Sequence, residues 1–254
     1  NILEGLTAQI HVAGRADKKD QTQHSYLDIY KQSMVTPPTL RIYANDNPEY
    51  LADLPFGPNP VASSRQDVAG YDIQKMRNVP TMFSLNYRIP FVEGLQAKVQ
   101  LGYDYRGSNV RILRKSYYTY QYTRDETTGK EVYSPREKGD PPFLAQHIHD
   151  MDRLNIQAQL NYNRTFAGGH NVGATFVFER MEATSNYTFP TGYYDIFTID
   201  DLRYTRKSDQ EVSGYTDESA SLAYVGRLNY DFRGRYLLEA AFRYDGSYKY
   251  APGN

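Results

Sequence analysis

His147 and His149 stand two apart in the run Gln146-His147-Ile148-His149-Asp150-Met151-Asp152. On an extended strand residues i and i+2 share a face, so both imidazoles could reach one metal ion, with Asp150 and Asp152 close by. The spacing supplies no third ligand, and ligand count decides such sites. These groups therefore read as a solvated loop end, and no metal or cofactor is expected. His11 reads as a single polar-face histidine. Neither a Gly-x-Ser-x-Gly nor a His-Glu-x-x-His pattern occurs, and the polar residues are scattered, so the chain is not expected to be an enzyme.

Two other groups could bind rather than react. Arg227, Asn229 and Asp231, followed by Glu239, Arg243 and Asp245, alternate with apolar residues and could line a polar track against a plug or solute. In the competing reading they solvate one another, at about 0.2 to 1 kcal/mol for each opposed pair. The tyrosines Tyr117, Tyr118, Tyr120 and Tyr122, and later Tyr187, Phe189, Tyr193, Tyr194 and Phe197, form clusters in what read as long loops. Exposed rings there could stack on a sugar or on an apolar peptide side chain. Alternatively they extend strands as an aromatic girdle.

The elements that must position these groups are β-strands. From Leu222 to Ser247 two runs alternate apolar and polar around Arg233-Gly234-Arg235. Both are near the 9 to 11 residues of a tilted membrane-spanning strand, against about 5 to 6 in soluble domains. Three tight hairpins share one parity. Leu85 should oppose Val99, Leu160 should share a face with Phe176, and Gly226 should oppose Phe242; a one-residue slip would move every side chain to the wrong face. About seven strands are predicted, near residues 4–15, 79–89, 95–106, 152–163, 171–181, 218–232 and 236–247. Long connections near 16–78, 107–151 and 182–217 alternate with the tight turns, as external loops alternate with periplasmic turns in outer-membrane barrels. A short helix is predicted near 65–76. Glu4-Gly5-Leu6 echoes Glu93-Gly94-Leu95, which places residue 3 just after a turn.

Composition permits this reading. A net charge of -1 gives no basic surface for nucleic acid, and the absence of cysteine removes disulfides and thiolate sites. A mean hydropathy of -0.70 argues against transmembrane helices but is blind to strands that alternate. The 25 tyrosines and 11 phenylalanines suit interfacial girdles. The expected class is all-β: an antiparallel up-and-down transmembrane β-barrel wall, partial because seven is odd, with long extracellular loops.

The run Tyr224-Val225-Gly226-Arg227-Leu228-Asn229-Tyr230, then Tyr236-Leu237-Leu238 and Phe242-Arg243-Tyr244-Asp245-Gly246-Ser247, resembles the SusC/RagA family of TonB-dependent outer-membrane transporters. Residues around Phe91-Val92-Glu93-Gly94-Leu95 and Gly102-Tyr103-Asp104 carry a weaker likeness. The resemblance implies that residues 1–254 are one segment of a 22-stranded barrel domain. A plug and TonB box would precede Asn1, and further strands would follow Asn254. It also implies a Gram-negative outer membrane, contact with its lipid, coupling to TonB, a SusD-like lid lipoprotein, and an oligosaccharide or peptide cargo. A passive porin or structural barrel, and a soluble β-adhesin or binding domain, are the alternatives.

Overall fold

The computed structural model describes residues 4–249. Its elements are β1 (Leu6–Val12), β2 (Arg15–Thr22), α1 (Tyr26–Val35), α2 (Pro60–Ser64), α3 (Gln66–Ala69), β3 (Gly70–Arg88), β4 (Leu95–Arg114), β5 (Tyr117–Arg124), β6 (Glu131–Lys138), β7 (Phe143–Phe166), β8 (His170–Tyr193), β9 (Glu211–Phe232) and β10 (Tyr236–Ser247), with short 3-10 turns in the loops. One antiparallel sheet runs in the order β1, β3, β4, β7, β8, β9, β10, with β2 also on β3; β5 and β6 form a separate pair. The wall is therefore up-and-down, and among the described residues it does not close on itself.

β1 and β2 are one strand interrupted once. Val12 pairs with Thr81 and Arg15 with Asn78, in the same register. Between them the Ala13 N–H donates to the Pro80 carbonyl at 3.0 Å, but proline has no N–H to return. The missing bond falls towards the sheet edge, where proline is tolerated. Counted this way the wall has the seven strands that alternation predicts. The register also agrees: Leu85 pairs with Val99, Leu160 with Phe176 and Gly226 with Phe242.

Two adjacent rows show what the alternation does. Ala8, Leu85, Val99, Ala158, Phe178, Tyr224 and Tyr244 are successive partners across all seven strands. One residue along, the partners are Gln9, Ser84, Gln100, Gln157, Glu179, Ala223 and Asp245. The first row lies on an apolar face and the second on a polar one. On β7 the apolar stretch covers 154–162, with Asp152 and Arg164 beyond its ends on the same face.

The strands run well past the predicted ends. β7 and β8 have 24 residues each, because backbone pairing continues where the apolar alternation that signals it has stopped. The predicted helix near 65–76 is corrected to the shorter α2 and α3. Gly70, at φ 106°, ends α3 and begins β3. The first long loop also contains α1, which the sequence reading missed; Ser25 caps it by accepting the Asp28 N–H at 3.2 Å. The turn expected before residue 3 lies outside the described residues.

The ends of the tight turns share one device. Gly5, Gly94 and Gly169 all have positive φ, and their carbonyls accept from the backbone N–H of Arg88, Asn163 and Arg233 at 2.8, 3.0 and 2.7 Å. The Glu-Gly-Leu echo is thus a repeated position: Leu6 pairs with Tyr87 and Leu95 with Tyr162.

At the other end the loops pack on each other. The Tyr120 N–H donates to the Leu51 carbonyl at 2.7 Å and Asp53 N–H to Tyr120 at 3.0 Å, so the first loop adds a short segment alongside β5. Asn59, 1% exposed, donates to the Ile42 and Ala52 carbonyls at 2.9 and 3.1 Å and caps α2 by accepting from Val61 at 3.0 Å. Asn59→Ala would leave the Ala52 carbonyl without its donor and remove an N-cap, while the Ile42 carbonyl keeps the Ala52 N–H at 2.9 Å; the loss is about 1 to 3 kcal/mol. Limited proteolysis of the folded full-length protein should then cut within 42–59 several-fold faster; an unchanged rate would show that this loop is held elsewhere.

Candidate functional site

Above the apolar stretch the two faces exchange character. On the side continuous with the apolar row, β3, β4, β7 and β8 carry Lys75, Arg77, Asn109, Gln146, Asp150 and Asn186. On the opposite side they and β9 carry Val110, His147, His149, Met151, Tyr187, Phe189 and Tyr215. The face that is amide-lined lower down thus becomes aromatic near the long loops.

Its rings form a ladder. Ser108, His149, Tyr187 and Tyr215 are successive partners across β4, β7, β8 and β9. The His149 ring stacks on Tyr187 with centroids 4.1 Å apart and planes 3° from parallel, and Tyr187 stacks on Tyr215 at 4.5 Å. His147 meets Phe189 edge-on at 5.2 Å. Such pairs contribute about 0.5 to 1.5 kcal/mol each beyond the area they bury. His147 and His149 do share a face, as their spacing implies, but they meet rings rather than ligands. Among the described residues no group of three or more His, Asp or Glu side chains is placed to hold a metal ion.

Below the ladder, the same face holds a groove of about 410 Å³ lined by His11, Met82, Gln100, Asp104, Asn155 and Glu179 among others. His11 lies on the polar face, paired in register with Met82. Many amides here satisfy one another: Asn155 donates to Glu179 at 3.2 Å, Gln159 to Asn161 at 2.8 Å and Thr175 to Asn161 at 3.2 Å.

Arg227 and Glu239 form an ion pair at 2.6 Å across β9 and β10, and Arg243 pairs with Asp245 at 2.7 Å along β10. Asn229 sits beside Gly173 in register, and Asp231 accepts the Gly234 N–H at 2.8 Å in the turn. These side chains share the polar face and are mostly paired with one another.

The tyrosines separate. Tyr117 and Tyr194 are 7% and 2% exposed, so they pack loops and cannot present open rings; burial pushes both phenols above their ordinary pKa. Tyr117 lies with Leu51, Ala62 and Ala69, while Tyr194 lies with Leu113 and Leu144, against Tyr71, Phe197 and Leu202. The last loop is held there by Arg111, which donates to the Asp200 carboxylate at 2.8 Å and the Asp200 carbonyl at 2.7 Å. Tyr120 meets Tyr50 edge-on at 4.8 Å, and Tyr122 meets Tyr133 at 5.4 Å. Tyr118 is exposed and lines a cleft of about 350 Å³ with Lys115, Glu137, Asp195 and Phe197. Besides Tyr187, Tyr193 shares the ladder's face, 4.8 Å from the Phe143 ring.

The architecture is an open, antiparallel, up-and-down all-β sheet of the kind that forms a barrel wall, and it is not closed among the described residues. No family model matches the sequence. No curated protein matches it either. Among solved structures it is similar to the RagAB peptide importer in its closed-closed state, with a TM-score of 0.73 at 14% identity over 100% of this chain and 27% of that one. It is also similar to the open-open state, with a TM-score of 0.69 at 14% identity over 98% and 26%. A further structure of the RagAB peptide transporter gives 0.58 at 13% over 72% and 19%. This chain thus spans about a quarter or less of the length of those proteins, and the likeness is one of fold.

Proposed function

We propose that this chain is part of the wall of a TonB-dependent outer-membrane transporter of the SusC/RagA type. The apolar face meets lipid and the polar face lines the lumen, the setting in which such alternation is stable. The wall takes no catalytic part. It guides an oligomer, glycan or peptide, beneath a SusD-like lid lipoprotein, with energy delivered through TonB to a plug. The observation that carries this reading is the change from an apolar row to a mainly polar one between adjacent positions across seven strands. The terminal hairpin's family-like sequence and the fold likeness to the RagAB importer support it.

A strain lacking the full-length gene should lose growth on an oligopeptide or oligosaccharide mixture as sole nutrient. Full-length protein in the outer membrane should restore it, and the same protein without its TonB box should not. Restoration without the TonB box would favour a passive porin and overturn the energised mechanism.

A further inference from the structure

Four of the five methionines, Met76, Met82, Met151 and Met181, fall on the face that lower down is lined by amides and charges. Methionine is flexible and polarizable, and it suits surfaces that must accept apolar groups of differing shape. The ring ladder continues this surface upward, and its last member, Tyr215, is 53% exposed.

Charges of both signs lie on the same face beside the methionines. Asp104, Arg106, Arg153 and Asp217 occupy neighbouring rows of β4, β7 and β9, and among the described residues none of them is in an ion pair. The Arg153 Nε and the His149 Nε2 are buried without a hydrogen-bond partner. The amides that would suit sugar hydroxyls lie lower, and several are already paired with one another.

We propose that this surface is a peptide subsite. Apolar and aromatic side chains of an oligopeptide settle against Tyr187, Tyr215, His149 and the methionines. Its carboxylate and backbone carbonyls meet Arg106 and Arg153, and its ammonium group meets Asp104 or Asp217. The inference rests on the transporter reading, because only there does this face line a solute path.

The test uses the full-length protein purified in detergent, titrated calorimetrically with three probes. These are a heptapeptide carrying Phe and Leu in an alanine background, the same peptide with Ser at those two positions, and maltohexaose. Tyr187→Ser and Tyr215→Ser should each weaken binding of the first peptide about tenfold, in line with the loss of a ring contact. Tyr187→Phe, which keeps the ring, and Tyr118→Ser, which lies off this face, should leave it unchanged. Wild-type protein should prefer the first peptide to the second by a similar factor. Heat-modifiable gel mobility shows that each variant is folded, and Tyr215 at the exposed end of the ladder carries the least folding risk. Peptide affinity indifferent to both Ser variants, or binding of maltohexaose alone, would overturn the subsite. The TonB-box experiment reads the transporter hypothesis separately: its failure would leave ring-dependent peptide binding measurable in the purified protein, and loss of the subsite would leave TonB-dependent growth intact.

Discussion

Phe242→Asp should nearly abolish assembly of the full-length barrel. Phe242 lies on the apolar face of β10, in the row that runs from Leu6 through Tyr87, Ala97, Leu160, Phe176 and Gly226. A charge on a lipid-facing position costs up to a few kcal/mol near the midplane and less near the interfaces. The substitution also uncovers a neighbour. A Cβ added to Gly226 would lie 2.0 Å from the Phe242 ring, so the ring fills the space that glycine leaves. Aromatic cover of a strand glycine is a recurrent way to protect an otherwise thin point in a sheet. Outer membranes from cells expressing the variant should therefore contain little heat-modifiable, folded protein. Phe242→Leu should lose far less, and Glu239→Gln on the opposite face should be nearly neutral. A normal folded yield of Phe242→Asp would reverse the assignment of lipid and lumen.

Gly94→Ala is the second large effect. Gly94 has φ +86°, and a Cβ there would lie 2.1 Å from the carbonyl oxygen of Asn163. The left-handed conformation alone costs an L-residue about 1 to 2 kcal/mol. The clash is with backbone, so relief requires moving the strand end and losing the 3.0 Å bond from the Asn163 N–H to the Gly94 carbonyl. Refolding of full-length protein into lipid vesicles should give a clearly lower urea midpoint for the variant. Gly14→Ala supplies the control, since nothing lies within 4 Å of its added Cβ. Equal midpoints for Gly94→Ala and wild type would mean that the turn is free to adjust.

The part of the wall with a continuous apolar face was legible because apolar side chains there recur with a period of two. Leu85 against Val99 and Gly226 against Phe242 follow from parity alone. Above that height the signal weakens for a physical reason. The outward side chains become polar once they leave the apolar zone, while the inward ones become aromatic. A reading that looks for one constant apolar face ends the strands early, near 106, 152 and 181. The loops were less legible still, since α1 has no buried side chain to impose a pattern and Tyr117 and Tyr194 are packed by residues distant in sequence. In the sequence His147 and His149 stand apart from Tyr187 and Phe189. Their common face follows only once the register of β7 on β8 is known. Parity alone places Met82 and Met181 on the polar face, whereas Met76 and Met151 fall in what read as long connections and join that face only through the longer β3 and β7.

The glycine device has a consequence for how such a wall can change size. β1 with β2 and β3, then β4 and β7, then β8 and β9, each rise, carry one loop and return, and each pair's feet are tied by the carbonyl of the glycine that immediately precedes its first strand. Every pair is therefore a tile with its own closure. Inserting or deleting a tile would alter the circumference by two strands and the loop complement by one, while leaving the feet of its neighbours as they were.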